Sequence, residues 1–161
     1  MATDLSRVGE IFGWYAENSV ATFEETPRTV TAWKELHDTV TDLGLPFLVA
    51  EADAEVAGYA YVGPWRQKPA YQHTVEDSVF IAPGMTGRGA GRALLGLLLP
   101  AAAAAGARQV IAVIADTGNP ASARLHDAFG FRHAGVLVSV GFKHGRWIDT
   151  LLMQRTLEPA S

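Results

Sequence analysis

Gly87, Gly89 and Gly91 alternate with Arg88, Ala90 and Arg92 between an apolar stretch ending at Ile81 and a long Ala/Leu run. Few architectures accommodate that arrangement. Ahead of it, residues 74–81 form a β-prone run with Val75, Val79, Phe80 and Ile81, stopped by Pro83 and Gly84. Behind it, 89–106 reads as a helix and 109–115 as an almost wholly apolar strand. Strand, loop, helix, strand predicts a parallel crossover with both sheet faces covered. Pro100 inside the helix removes a backbone hydrogen bond and predicts a kink. At the junction, free amides and the helix dipole suit an anionic phosphate, and glycine lets the backbone approach it closely. No Gly-Lys-Ser/Thr follows, and Arg92 and Leu94 stand where a dinucleotide fingerprint needs a small residue. The alternative is a merely flexible connection, which three alternating glycines interleaved with arginine disfavour.

The flanking chain reads more simply. Leu5, Val8, Ile11, Phe12 and Tyr15 recur at helical spacing behind an Asp4 or Thr3 cap. Thr31, Trp33, Leu36, Val40 and Leu43 make a second amphipathic helix that Gly44 can close. Residues 47–50 and 56–62 read as a hairpin ended by Gly63 and Pro64. A helix over 120–129 and strands over 131–139 and 147–157 complete the chain. One domain spanning residues 1–161 is expected, since 161 residues with 48% hydrophobic content suffice for one core.

Charge and composition exclude several classes. A net charge of -4 lacks the basic excess that nucleic-acid binding requires. With no cysteine there is no disulfide, thiolate metal site or cysteine nucleophile, and no metal is expected. The apolar run 93–105 is broken by Gly96 and Pro100 and falls short of the ~20 residues of a spanning helix, so no membrane partner is expected. No secretory signal pattern opens the chain, and a cytoplasmic location is the expectation.

Val79-Phe80-Ile81-Ala82-Pro83 followed by Gly87-Arg88-Gly89-Ala90-Gly91 resembles the pantetheine strand and pyrophosphate loop of the GNAT superfamily of acyl-CoA-dependent N-acetyltransferases. Thr86 stands where that family has Gln or Arg, which leaves the first phosphate contact to Arg88 or Arg92. Asn119, Leu125-His126 and Gly130-Phe131 look like the downstream Asn, Leu-Tyr, Gly-Phe pattern, with His126 in the tyrosine position. Ala57-Gly58-Tyr59-Ala60, Gly63-Pro64-Trp65-Arg66, Ala70-Tyr71, Thr74-Val75-Glu76 and Gly141-Phe142-Lys143-His144-Gly145 extend the likeness over nearly the whole chain. Together they resemble the phosphinothricin, methionine sulfoximine and methionine sulfone N-acetyltransferases. The resemblance implies an α/β (α+β) fold: a central mixed, twisted sheet with helices on both faces and a splayed strand pair that binds CoA. It also implies acetyl-CoA as co-substrate, a small amino-acid-like acceptor, and a homodimer through C-terminal strands. The family's first strand usually precedes the first helix; here almost nothing does, so that strand is expected to be absent or trimmed.

The chemistry of amine acylation then assigns roles. An α-ammonium cannot attack a thioester until a base removes a proton. An unpaired carboxylate mid-strand is costly, so Glu76 needs a partner or a purpose, and the resemblance places it on the family's proposed base. The alternative is an outward-facing Glu76 paired with a surface cation. The oxyanion formed on attack can be held by a backbone N–H among Val79, Phe80 and Ile81. Free main-chain groups there would also pair with the pantetheine arm as an added strand. The diphosphate falls to Gly87, Arg88, Gly89, Ala90, Gly91 and Arg92. His126 is an acid for the leaving thiolate, a substrate orienter or a structural histidine. Asn119 is a helix cap, a CoA contact or both. Arg66 suits an acceptor carboxylate, and by resemblance Arg66, Gln67 and Lys68 line the acceptor's acidic end unless they are merely solvated loop residues. Asp77 and Ser78 lie along the same pocket by resemblance. Phe23, Trp65, Tyr71 and Phe142 could enclose the acceptor side chain. A non-catalytic CoA-binding module, or an acetyltransferase of protein N-termini, lysines or another small amine, are the competing functions.

Overall fold

A computed structural model describes residues 2–159. Helix α1 (Ala2–Asn18) begins ahead of the expected cap, so Asp4 lies within its first turn, where its carboxylate still favours the N-terminal dipole. Helix α2 (Val30–Asp42) is capped by Thr29, whose side chain accepts from the Ala32 amide. Gly44 closes it at φ 76. Strands β1 (Phe47–Ala52) and β2 (Glu55–Pro64) form the expected hairpin, extended at both ends of the turn. Asp53 and Ala54 both take positive φ there, the backbone sign a two-residue hairpin turn demands.

After a short turn at Pro69–Tyr71 come β3 (Thr74–Ile81), α3 (Ala90–Ala104), β4 (Gln109–Ala115), α4 (Ala121–Ala128), β5 (Arg132–Lys143) and β6 (Arg146–Thr156). Helix α3 runs through Pro100 unbroken. Strand β5 continues past the expected end at 139, because a bulge absorbs Ser139 at φ 53 instead of ending the strand. The six strands lie in the order β1-β2-β3-β4-β6-β5, all antiparallel except β3 with β4.

Alternation divides β2 and β3 between two cores. Tyr59 and Phe80 meet α1 and α2 through Val8, Ile11, Phe12 and Trp33. Ala60, Val62 and Val75 meet α3 through Leu94, Leu95, Leu98 and Leu99 on the other face. Helices therefore cover both faces, but not all of each. Helices α1 and α2 pack chiefly on β1, β2 and β3, and on the same face of β4 Val113 is 38% exposed.

The parallel crossover is also incomplete. Pairing between β3 and β4 stops after Thr74↔Gln109, Val75↔Val110 and Glu76↔Ile111, and both strands run on unpaired beyond it. That splay, at the C-terminal ends of two parallel strands, organises everything below.

Candidate active site

The hydrogen bonds closing the β2–β3 ladder determine which β3 residues face the splay. Trp65 N donates to Thr74 O and Ala82 N to Ala57 O. With the register Gly63↔Glu76, Tyr61↔Ser78 and Tyr59↔Phe80, the even-numbered residues exchange backbone bonds with β2. Asp77, Val79 and Ile81 turn theirs toward the gap. Val79 and Ile81, expected to hold CoA, leave main-chain groups toward the gap, whereas the main chain of Phe80 is spent on Tyr59 and its ring lies in the α1/α2 core. The Ile81 carbonyl is already occupied by the Tyr15 hydroxyl, at 2.6 Å.

The free edge leads into the glycine loop. Gly87 and Gly89 have φ of 77 and 89, values that side chains disfavour. Ala93 N returns to Gly89 O, while the amides of residues 87–92 find no backbone acceptor among the described residues. The loop therefore presents a run of donors at the N-terminus of a 15-residue helix. A Cβ at Gly91 would lie 3.2 Å from Leu125 of α4, so a side chain there would push Leu125 aside by a few tenths of an ångström. Arg88 and Arg92 are exposed, Arg88 near Asp53 at 3.8 Å. That surface pair leaves the guanidinium available to an anion. Asn119 uses Oδ1 to accept from Ala121 N at 3.0 Å, which starts α4 and leaves its amide nitrogen free.

Glu76 and Asp77 stand on opposite faces. Glu76 is half-buried on the α1/α2 side, next to Ser78, with no hydrogen bond or ion pair to its carboxylate among the described residues. Burial raises its pKa, Asp77 raises it further, and Arg66 pulls it back. Arg66, Gln67 and Lys68 are exposed just beyond β2, and the Arg66 guanidinium lies 4.9 Å over the Trp65 ring. Arg66 is thus close enough to Glu76 to stabilise its charged form.

Asp77 is directed to the α3/α4 side, where Oδ2 meets His126 Nε2 at 2.7 Å. His126 Nδ1 meets Ser122 O at 2.8 Å, and the two side chains are 4% and 3% exposed. Facing a carbonyl and a carboxylate at once, the ring is favoured in its doubly protonated form. Burial works against that charge, but Asp77 and the Ser122 carbonyl prevail and raise the His126 pKa. The structure thus joins Asp77 to His126, while Ser78 shares the face of Glu76.

Successive registers continue that face: Glu76↔Ile111, Ile111↔Gln154, Ala115↔Thr150 and Gly141↔Ile148. Val113, Leu152 and Thr150 therefore share the Glu76 face, and Thr150 Oγ1 is buried there without a hydrogen-bond partner among the described residues. Phe23 reaches that face from the α1–α2 loop and its ring lies on Gly141. Phe142, also expected to line the pocket, does not: one residue from Gly141, it faces away and meets Trp147 at 4.9 Å. Sequence reasoning gave no role to Tyr15, Lys143 or Thr150. Lys143 alone had a signal, as the cation within the Gly141 to Gly145 stretch.

The sequence profile of the acetyltransferase (GNAT) family matches residues 8–131. A phosphinothricin N-acetyltransferase of Alcaligenes faecalis is 49% identical over 96% of this chain and 78% of its own length. An L-methionine sulfoximine/L-methionine sulfone acetyltransferase of Pseudomonas aeruginosa is 38% identical over 97% and 91%. The crystal structure of a phosphinothricin acetyltransferase from Sinorhizobium meliloti in complex with acetyl-CoA superposes with a TM-score of 0.93 at 41% identity, covering 99% of this chain and 90% of that one.

Proposed function

Because the chain belongs to the acetyltransferase (GNAT) family, we propose that it transfers the acetyl group of acetyl-CoA to the amino group of a small amino-acid-like acceptor of the phosphinothricin, methionine sulfoximine or methionine sulfone type. The observation that carries this is the continuity of the unpaired β3 edge at Asp77, Val79 and Ile81 with the unpaired amides of residues 87–92. A pantetheine arm matches the first as an added strand, and a diphosphate matches the second. Arg88, Arg92 and Asn119 lie at the rim of the same loop and add donors to the phosphates.

The acceptor lies in the cleft on the Glu76 face. Arg66, with Gln67 and Lys68, takes its carboxylate by paired donors. The half-buried Glu76 accepts the ammonium proton, the freed nitrogen attacks the thioester carbon, the new C–N bond forms and the C–S bond breaks. A splay-facing amide such as that of Val79 holds the oxyanion, a contribution of roughly 3–4 kcal/mol in comparable sites. As the C–S bond breaks, the nitrogen's second proton passes to the departing thiolate; His126, buried on the opposite side of β3 with both ring nitrogens engaged by Asp77 and the Ser122 carbonyl, holds the strand in place instead of supplying that proton. Ser78, on the Glu76 face, and Asp77, through His126, keep these groups in register. The Thr150 hydroxyl offers the acceptor's side-chain oxygen a partner on the cleft floor.

Two further properties belong to this proposal. Edge strand β5 exposes Val136, Val138, Val140 and Phe142, with Trp147 beside them, at 53–71% exposure. An apolar edge of that kind suits a second copy of the chain, giving a homodimer. No helix among the described residues is long and apolar enough to cross a membrane, consistent with one cytoplasmic domain.

Thiol release from acetyl-CoA in the presence of methionine sulfone, methionine sulfoximine, phosphinothricin or a lysine-containing peptide tests the acceptor class. Turnover on the amino acids with none on the peptide is expected. Turnover on the peptide alone would reverse the assignment.

A further inference from the structure

Lys143 is 2% exposed, yet no carboxylate among the described residues lies within ion-pair distance of it. Its ammonium donates to two main-chain carbonyls of the α1–α2 loop, Thr22 O at 2.8 Å and Glu24 O at 2.6 Å. Burial lowers its pKa, opposed by Glu25 and Glu24 nearby. An ammonium held this way spends donors on a loop 119 to 121 residues away in sequence. Between those carbonyls sits Phe23, whose ring occupies the space a Cβ on Gly141 would need. Gly141 and Lys143 are two apart on β5 and therefore share a face.

That face is the Glu76 face. Helix α1 packs on β2 and β3, and β5 lies beyond β4 and β6, so a loop fastened to β5 spans that part of the sheet.

We infer that Lys143 is a positioning residue for the acceptor: with Gly141 as the seat for Phe23, it latches the α1–α2 loop across the sheet and so forms the roof under which the amino-acid acceptor binds. The latch touches neither the glycine loop nor the splay-facing edge of β3, so its effect falls on the acceptor and not on acetyl-CoA. Lys143 does not itself meet reacting atoms. The inference rests on the acceptor occupying the cleft on the Glu76 face.

Lys143→Met keeps the bulk of the stem and removes the donors, while Gly141→Ala leaves Lys143 intact and evicts the Phe23 ring. If either variant leaves the loop roofing the cleft about a tenth of the time, the acceptor KM rises about tenfold. Steady-state kinetics with methionine sulfone as the varied acceptor should show that rise in both variants. The acetyl-CoA KM and the melting temperature measured with saturating acetyl-CoA should stay close to wild type in Gly141→Ala. Lys143→Arg, which keeps the donors, should recover much of the acceptor KM. Unchanged acceptor KM in Lys143→Met and Gly141→Ala, or an equal loss for acceptor and acetyl-CoA in both, overturns the latch. A wild-type enzyme inactive on every amino-acid acceptor would instead remove the functional proposal beneath it, so the two failures are separable.

Discussion

Replacing His126 by phenylalanine leaves the Asp77 carboxylate, 3% exposed, without the nitrogen now 2.7 Å away. Removing one member of a buried pair strands the other charge and costs about 3–5 kcal/mol. For a chain of this size each kcal/mol lowers the melting temperature by ~2–4 °C, so the loss is about 6–20 °C. Asp77→Asn should cost a similar amount, because the imidazolium then faces only the Ser122 carbonyl. The double variant Asp77→Leu with His126→Phe should be markedly more stable than the sum of the single losses, since apolar groups of similar volume replace a buried pair without large penalty. The sign of the pH dependence follows from the raised His126 pKa. The pair's contribution is fully present below the ordinary histidine value of 6.5 and is lost as pH rises through the raised value. Denaturant unfolding of wild type, both single variants and the double variant across that range measures all of this. Single losses under ~1 kcal/mol, or strict additivity, would refute the buried pair as described.

Glu76→Gln should lower kcat by roughly two to four orders of magnitude and abolish the acid limb of the pH profile. In wild type that limb should lie above the ordinary carboxylate value of 4.5, because the base must be ionised and burial and Asp77 raise its pKa. Gly89→Ala places a side chain at φ 89, a strain of ~1–2 kcal/mol, so acetyl-CoA should bind about 5–30-fold more weakly by calorimetry. Thr150→Val removes a buried hydroxyl with no protein partner and should be near neutral in melting temperature, while acceptor kcat/KM falls about tenfold.

What the sequence made legible was local. The strand, glycine turn, helix and strand around residues 87–92 could be read because each signal lies within a few residues of the next. Contacts between distant segments were beyond its reach. Nothing in the sequence links Asp77 to His126, 49 residues away, or Lys143 to Thr22 and Glu24. Phe80 is instructive, since hydrophobicity marked its strand but only the ladder's alternation decides which amides face the gap.

The central claim is that the main-chain donors of residues 87–92, reached along the free β3 edge, hold an acyl-CoA. Calorimetric titration of the purified protein with acetyl-CoA tests it most directly. The account predicts saturable binding at one site per chain, competed by free CoA and weakened by Gly89→Ala. Absence of heat, of thermal protection and of competition by CoA would contradict it.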